Sequence, residues 1–354
     1  MKNIFLIVLF LSVFISCKTT GYVAVKLNNT DFQSVQIDTL FQDEMSIRAI
    51  LIDANKVWYA ADKSRFGFYD LEKSKRNENK IANDSLKFEF RSIAQTTSAV
   101  FILTVSNPAL LYRISKDNSE IELVYKENHE KVFYDSMQFW NDTDGIAIGD
   151  PISNCLSILI TRDGGNSWNK IPSSKLPKVI EGEAAFAASN TNIVLKGNKT
   201  WIVSGGKKAR VFYAPDKGKT WEVFDTPIVQ GKAMTGIFTA DFYDSKKGFI
   251  AGGNYEVPQQ NSGNKAFTAN GGKTWKLIAE NQGFGYASCI QYVPKSDGAG
   301  LVSVGASGLY YSSDRGNSWK QLSADPSLFT IRFIDENTAI AAGKNKMIRL
   351  NFKK

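Results

Sequence analysis

The chain is predicted to be all-β: a seven-bladed β-propeller of four-stranded blades, the last blade closed by an N-terminal strand. Three observations predict it. Residues 161–168, 214–221, 268–275 and 312–319 repeat one pattern, x-x-[Asp/Asn]-x-Gly-x-[Ser/Thr]-Trp. Seven short apolar segments (57–61, 100–105, 145–149, 201–205, 248–252, 301–305 and 339–343) end 44, 44, 56, 47, 53 and 38 residues apart, room for four strands per unit. The last unit runs out at Lys354 after three strands, while residues 32–40 alternate apolar and polar as a lone strand does. A strand from there completes the ring and removes an exposed edge. Residues 32–354 are therefore read as a single propeller with negligible helix.

Taken in chain order, the first element is an address. Met1, Lys2 and Asn3 precede an apolar run over 4–15, broken only by Ser12. Twelve residues are too few to span a bilayer, which needs roughly 20, but they suit the core of a secretory leader. The run ends in Phe14-Ile15-Ser16-Cys17, which resembles a bacterial lipobox. The resemblance implies cleavage after residue 16 and lipidation of Cys17, with 17–31 as a tether. An ordinary secretory leader with a chance cysteine is the alternative. Lys18 follows the cysteine and not Asp, which resembles export to the outer membrane facing the periplasm.

The repeated motif is the chemistry of a hairpin turn. Asp163, Asp216, Asn270 and Asp314 can accept bonds from turn amides, and the glycines supply left-handed backbone. Trp168, Trp221, Trp275 and Trp319 then carry apolar area between neighbouring sheets. Each acid is committed to its own turn, so the four are read as structural. The segments resemble Asp-boxes, the bacterial neuraminidase repeats, a signal for fold and a poor one for activity.

Composition removes most other chemistries. There are 43 Lys+Arg against 35 Asp+Glu, a formal charge of +8. That balance allows an anionic partner, but no dense basic run marks a nucleic-acid surface. His129 is the one histidine, which excludes a His-rich metal site. No GxGxxG or GxxxxGK[ST] occurs, and Cys17, Cys155 and Cys289 form no CxxC. No cofactor and no metal is expected. Cys155 and Cys289 are read as buried free thiols, with a disulfide open in an oxidising compartment.

The turns opposite the repeated motif converge on one face and place Lys63, Arg65, Lys207, Lys208, Arg210, Lys344 and Lys346 at a common mouth. They form either a binding rim or a solvated one. On the innermost strands Arg48 and Arg91 share one position, Asp135 holds it in the third blade, and Arg332 lies two residues further along in the seventh. A small residue follows in most blades: Ala49, Ser92, Ser136, Ala185, Gly236 and Ser288. The arginines either bind a carboxylate or phosphate in the channel mouth or close a self-satisfied ring with Asp135. Residues 180–190 lead into the fourth blade, where Glu183 either meets a cation or sugar hydroxyl or caps a turn.

Residues 149–151, 182–190, 209–211, 236–238 and 252–255 together resemble the photosystem II stability/assembly factor-like family of Asp-box propellers, some members of which are labelled oxidoreductases. The resemblance covers nearly the whole mature chain. It implies a binding or assembly propeller with an arginine patch near the channel, and it adds Asn254 and Tyr255 to the candidates. Nothing in the residues supports redox chemistry. The function expected is non-enzymatic: a membrane-tethered monomer holding a protein or an anionic or glycan ligand at its basic face. The alternative is a sialidase-like or endoglucanase-like glycoside hydrolase using Asp150 and Glu183. Neither Arg48 nor Arg91 is followed by the Ile-Pro of a sialidase.

Overall fold

The computed structural model describes residues 31–81, 87–117 and 119–354. The leader, Cys17 and all of the tether but Asp31 lie outside them. Among the described residues no helix is long and apolar enough to cross a membrane. The chain is a β-propeller of antiparallel, four-stranded blades, with a 3₁₀ turn at Ser173–Lys175.

Among the described residues the ladders resolve into six sheets, which corrects the expectation of seven. Four sheets have four strands and two have six. One six-stranded sheet arises because Ser34–Asp53 runs unbroken from one unit into the next. Its first half pairs with Thr338–Lys353 (Ser34 opposite Lys353, Gln42 opposite Lys346) and its second half with Lys56–Ala61. Thr338–Lys353 itself doubles back: Leu328–Phe333 pairs with its beginning, and Phe352 N donates to Asn337 O at 2.8 Å.

The other six-stranded sheet gains two short pieces, Glu183–Ala184 and Gly205–Gly206, laid against Thr235–Phe242. Only glycine permits this approach. A Cβ on Gly236, whose φ is +132°, would stand 2.3 Å from the Gly205 Cα.

The four repeated turns fold alike. Asp163 Oδ1 accepts from Ser167 N at 3.0 Å and Oδ2 from Ser167 Oγ at 2.6 Å. Asp314 does the same with Ser318 at 2.9 and 2.6 Å, and Asp216 takes both Lys219 N and Thr220 N at 2.9 Å. Asn270 keeps the amide bond, from Thr274 N at 3.0 Å, but its Nδ2 donates to the Thr274 hydroxyl. Burial raises the pKa of the Asp163, Asp216 and Asp314 carboxyls. The hydroxyl and amide bonds outweigh it and hold all three below the ordinary range. The tryptophans pack edge-on against phenylalanines: Trp168 on Phe139, Trp275 on Phe242, Trp319 on Phe284. Trp168 is buried, whereas Trp221, Trp275 and Trp319 are half-buried. Cys155 and Cys289 are buried and free.

Candidate functional site

Six innermost strands carry a one-residue bulge at one level, at Arg48, Arg91, Asp135, Phe238, Ser288 and Phe329. A bulge breaks the in–out alternation and re-aims the extra residue. Here it turns one side chain per strand toward the middle of the ring. A small buried residue follows each one: Ala49, Ser92, Ser136, Thr239, Cys289 and Thr330. The sequence alignment of this position was right for the first three strands and slipped afterwards. In the later strands Phe238 and Ser288 hold the place expected for the residues before Gly236 and before Ser288, and in the last strand Phe329 holds it, three residues before Arg332.

The fourth unit contributes no such strand residue. Its inner strand is Ile193–Lys196, and residues 185–192 carry no strand. This corrects the reading of 180–190 as the run into an inner strand. The segment instead fills the channel and is bonded from nearly every side. Ala187 O and Ala188 O accept from Arg91 (3.5 Å) and Arg48 (3.3 Å), and Ser189 O accepts from Arg332 at 3.1 Å. Asn190 Nδ2 donates to Ile93 O at 2.8 Å, its Oδ1 accepts from Met137 N at 3.0 Å, and Ser189 Oγ donates to Ser288 O at 2.6 Å. The arginines are thus neither free nor ringed by Asp135. They clasp backbone carbonyls of the channel segment, two of which also accept from hydroxyls, Ala188 O from Ser288 Oγ and Ser189 O from Thr330 Oγ1, each at 3.3 Å.

Above this segment lies a cavity of about 390 Å³, lined by Arg48, Arg91, Asp150, Phe186, Phe238, Tyr255 and Tyr286 among others. Phe186 and Phe238 stack at 3.9 Å, and Tyr255 meets Tyr286 edge-on at 5.1 Å. The Arg48 guanidinium lies 4.1 Å over the Phe329 ring, and its Nε is buried with no hydrogen-bond partner. Burial, then the charge of Arg91, pulls the Arg48 pKa below its ordinary value. Arg91 is partly neutralised by Glu89, 2.8 Å from its Nε.

Two carboxyls sit beside the arginines. Asp150 accepts from Ala185 N at 2.9 Å, and burial pushes its pKa up to about 6 against that bond. Asp135 is wholly buried, and neither of its oxygens has a hydrogen-bond partner. Burial, then the charge of Asp150, raises it well above the carboxylate range despite Arg91.

The remaining candidates scatter. Glu183 shares a neighbouring groove of about 640 Å³ with Asp150. Its buried carboxylate is committed, however: Ser204 Oγ (2.6 Å), Arg210 Nε (2.9 Å), Arg210 Nη2 (2.6 Å) and Ile180 N (3.1 Å) all donate to it. Glu183 and Arg210 therefore satisfy each other. Lys208 pairs with Asp225 at 3.2 Å, Lys63 with Glu44 at 3.2 Å, Arg65 with Glu78 at 2.8 Å, and Lys346 with Asp325. Lys207 is exposed on the rim. Asn254 is buried and bonds its own turn through Glu256 N at 3.0 Å. The basic mouth is mostly self-neutralised, and Arg48, Arg91, Asp150 and Tyr255 are the candidates that meet in one cavity. Among the described residues no cluster of three or more His, Cys, Asp or Glu is arranged to hold a metal ion.

Sequence reasoning missed Tyr286 and Phe329 as lining residues. For Phe329 the signal was present in Thr330, the small residue after the bulge, as Ala49 and Ser92 follow theirs, whereas Tyr286 stands two residues before the bulge at Ser288 and carried no such mark.

No protein-family model matches the chain, and no curated protein matches it by sequence. Solved structures do resemble it in fold. One is YCF48 bound to D1 peptide, 13% identical over 92% of this chain and 98% of that one, with a TM-score of 0.65. Another is the WD40 repeats of RRP9, 10% identical over 91% and 100%, with a TM-score of 0.64. A third is the GH74 xyloglucanase from Xanthomonas campestris, 11% identical over 89% of this chain, with a TM-score of 0.66. The match takes in only 53% of the xyloglucanase. At these identities the likeness is one of fold alone.

Proposed function

We propose that this protein is a non-enzymatic binding propeller that holds an acidic segment of a protein partner in the Arg48–Arg91 cavity. One observation carries the reading. Two guanidiniums flank a single aromatic-lined cavity, and the Nε of Arg48 is buried there without a hydrogen-bond acceptor. A buried donor of a charged group left unbonded is costly, and a carboxylate is the acceptor it fits best. The similar fold of YCF48, solved with a peptide, supports a peptide as the ligand class. Titration calorimetry with short acidic peptides tests it. Binding that weakens with salt and falls at least tenfold in Arg48→Gln/Arg91→Gln is the expected result. Unchanged affinity in that variant overturns it.

The wider setting belongs to the same proposal. The four turns are read as Asp-boxes. The six-stranded sheet that Ser34–Asp53 runs through is read as two four-stranded blades, with Ser34–Asp53 and Thr338–Lys353 each supplying two of the eight strands, so that the ring has seven. The chain is read as a monomer tethered through a lipid on Cys17 to the bacterial outer membrane, facing the periplasm. Release of Cys17→Ser from the membrane fraction is the expected outcome, and persistence there overturns the anchor.

The second reading is glycoside hydrolysis by Asp150 and Glu183, favoured by the likeness to a xyloglucanase fold. Glu183 suits it poorly, because both its oxygens are occupied by Arg210 and neighbouring donors. Glycan turnover by the purified protein, abolished in Asp150→Asn with the fold intact, would establish it over the binding module.

A further inference from the structure

Beside the arginine cavity lies a second one of about 310 Å³, and Arg48, Tyr255 and Tyr286 form the wall between them. Its other lining comes from Pro258, Ser288, Gly305, Ala306, Pro326 and Phe329. We propose that this second cavity takes an aromatic side chain of the ligand, adjacent to the carboxylate that Arg48 and Arg91 hold. The proposal rests on the binding reading above and names the residue class that the site selects.

Three features point to an aromatic guest. The lining is three rings, two prolines and three small residues, with Arg48 as its one charged group. The rings already meet edge to face, Tyr286 against Tyr255 at 5.1 Å and against Phe238 at 4.8 Å, with planes near 87° and 86°. A further ring extends that arrangement, since edge-to-face contact is favoured by the aromatic quadrupole. Tyr255 is also 47% exposed, a large ring left half uncovered at a cavity mouth, as anchoring residues of binding surfaces are. The floor is kept low by small residues. At Gly305 a Cβ would stand 2.4 Å from the Tyr286 main-chain carbonyl oxygen, so the two backbones pack directly against each other there.

The guest's neighbour is set by the shared wall. Arg48 stacks on Phe329 in the second cavity and faces Arg91 across the first. A carboxylate at the guanidiniums therefore leaves the adjoining side chain at the mouth of the aromatic cavity.

The test compares three N-acetylated peptides, Gly-Gly-Phe-Asp, Gly-Gly-Leu-Asp and Gly-Gly-Ala-Asp, by calorimetry on the whole protein. The phenylalanine peptide should bind about tenfold more tightly than the alanine one and more tightly than the leucine one. Ala306→Phe fills the cavity and should erase that preference, bringing the phenylalanine peptide down to the affinity of the alanine one. Phe329→Leu, which keeps the site apolar and removes a ring, should reduce the preference and serves if Ala306→Phe does not fold. Equal binding of the three peptides overturns the aromatic subsite and leaves the carboxylate reading standing. Equal binding of phenylalanine and leucine overturns the aromatic choice. Retained preference in both variants overturns the location, and no binding by any peptide overturns both readings.

Discussion

Arg210 grips the fully buried carboxylate of Glu183 in parallel bonds, Nε to Oε1 at 2.9 Å and Nη2 to Oε2 at 2.6 Å. The pair joins residue 183, where the chain enters the channel, to the strand Arg210–Ala214. Breaking it from one side strands a buried charge. Arg210→Met should therefore cost about 3–5 kcal/mol in urea unfolding. Arg210→Met/Glu183→Gln should recover part of that loss, because no uncompensated charge remains. A double variant no more stable than Arg210→Met would show that the arginine stabilises through packing alone.

Asp150 sets a pH dependence whose sign follows from its burial. Its folded-state pKa, about 6, lies above the ordinary 3.8, so the folded form binds the proton more tightly. The stability this contributes is fully present below the ordinary value and is lost as pH rises through 6. Asp150→Asn should remove that slope and stand about 2–3 kcal/mol above the wild type at pH 7.5, relative to their difference at pH 4. Thermal unfolding of both proteins across that window checks it. Parallel curves would place the titrating group elsewhere.

The four tryptophans of the repeated turns are not equivalent. Trp168 is 5% exposed and packs against Phe101 and Phe139, whereas Trp221 is half-buried. Trp168→Ala should cost about 3–5 kcal/mol and Trp221→Ala clearly less. Asp216→Ala should cost about 1–2 kcal/mol, since two turn amides and the Thr220 hydroxyl lose their acceptor. Chemical denaturation of the three variants ranks them. A Trp221→Ala loss equal to that of Trp168→Ala would contradict the burial difference.

Closure of the ring depends on Phe32, which is wholly buried with Tyr311 and Phe352, each 4.8 Å away. Phe32→Ala should destabilise by about 3–5 kcal/mol. Deletion of residues 32–42 should expose the edge of Thr338–Lys353 and cause aggregation. Light scattering on the deletion protein reads this directly, and a soluble monomer of wild-type stability would refute closure by this strand.

The residues encode their local structure directly. The turn at Asp163 is written within five residues, because the acceptor, the left-handed glycines and the hydroxyl donor all sit inside one hairpin. The strand alternation and the pairing of residues 32–40 with the chain's end were legible for the same reason: period two encodes a half-buried strand wherever it lies. The tertiary structure alone decided the channel. Arg48 meets Ala188 across 140 positions and Arg91 meets Ala187 across 96, contacts that exist only once the ring has closed. It also decided the sheets, since nothing local tells a strand such as Ser34–Asp53 to continue unbroken from one unit to the next. The site residues fell between these cases. A bulge shifts the register by one and so chooses which side chain faces the axis, and in the last strand it is Phe329 that lines the cavity. That choice is made by pairing with the neighbouring strand, a long-range interaction on which the inner strand's own residues are nearly silent.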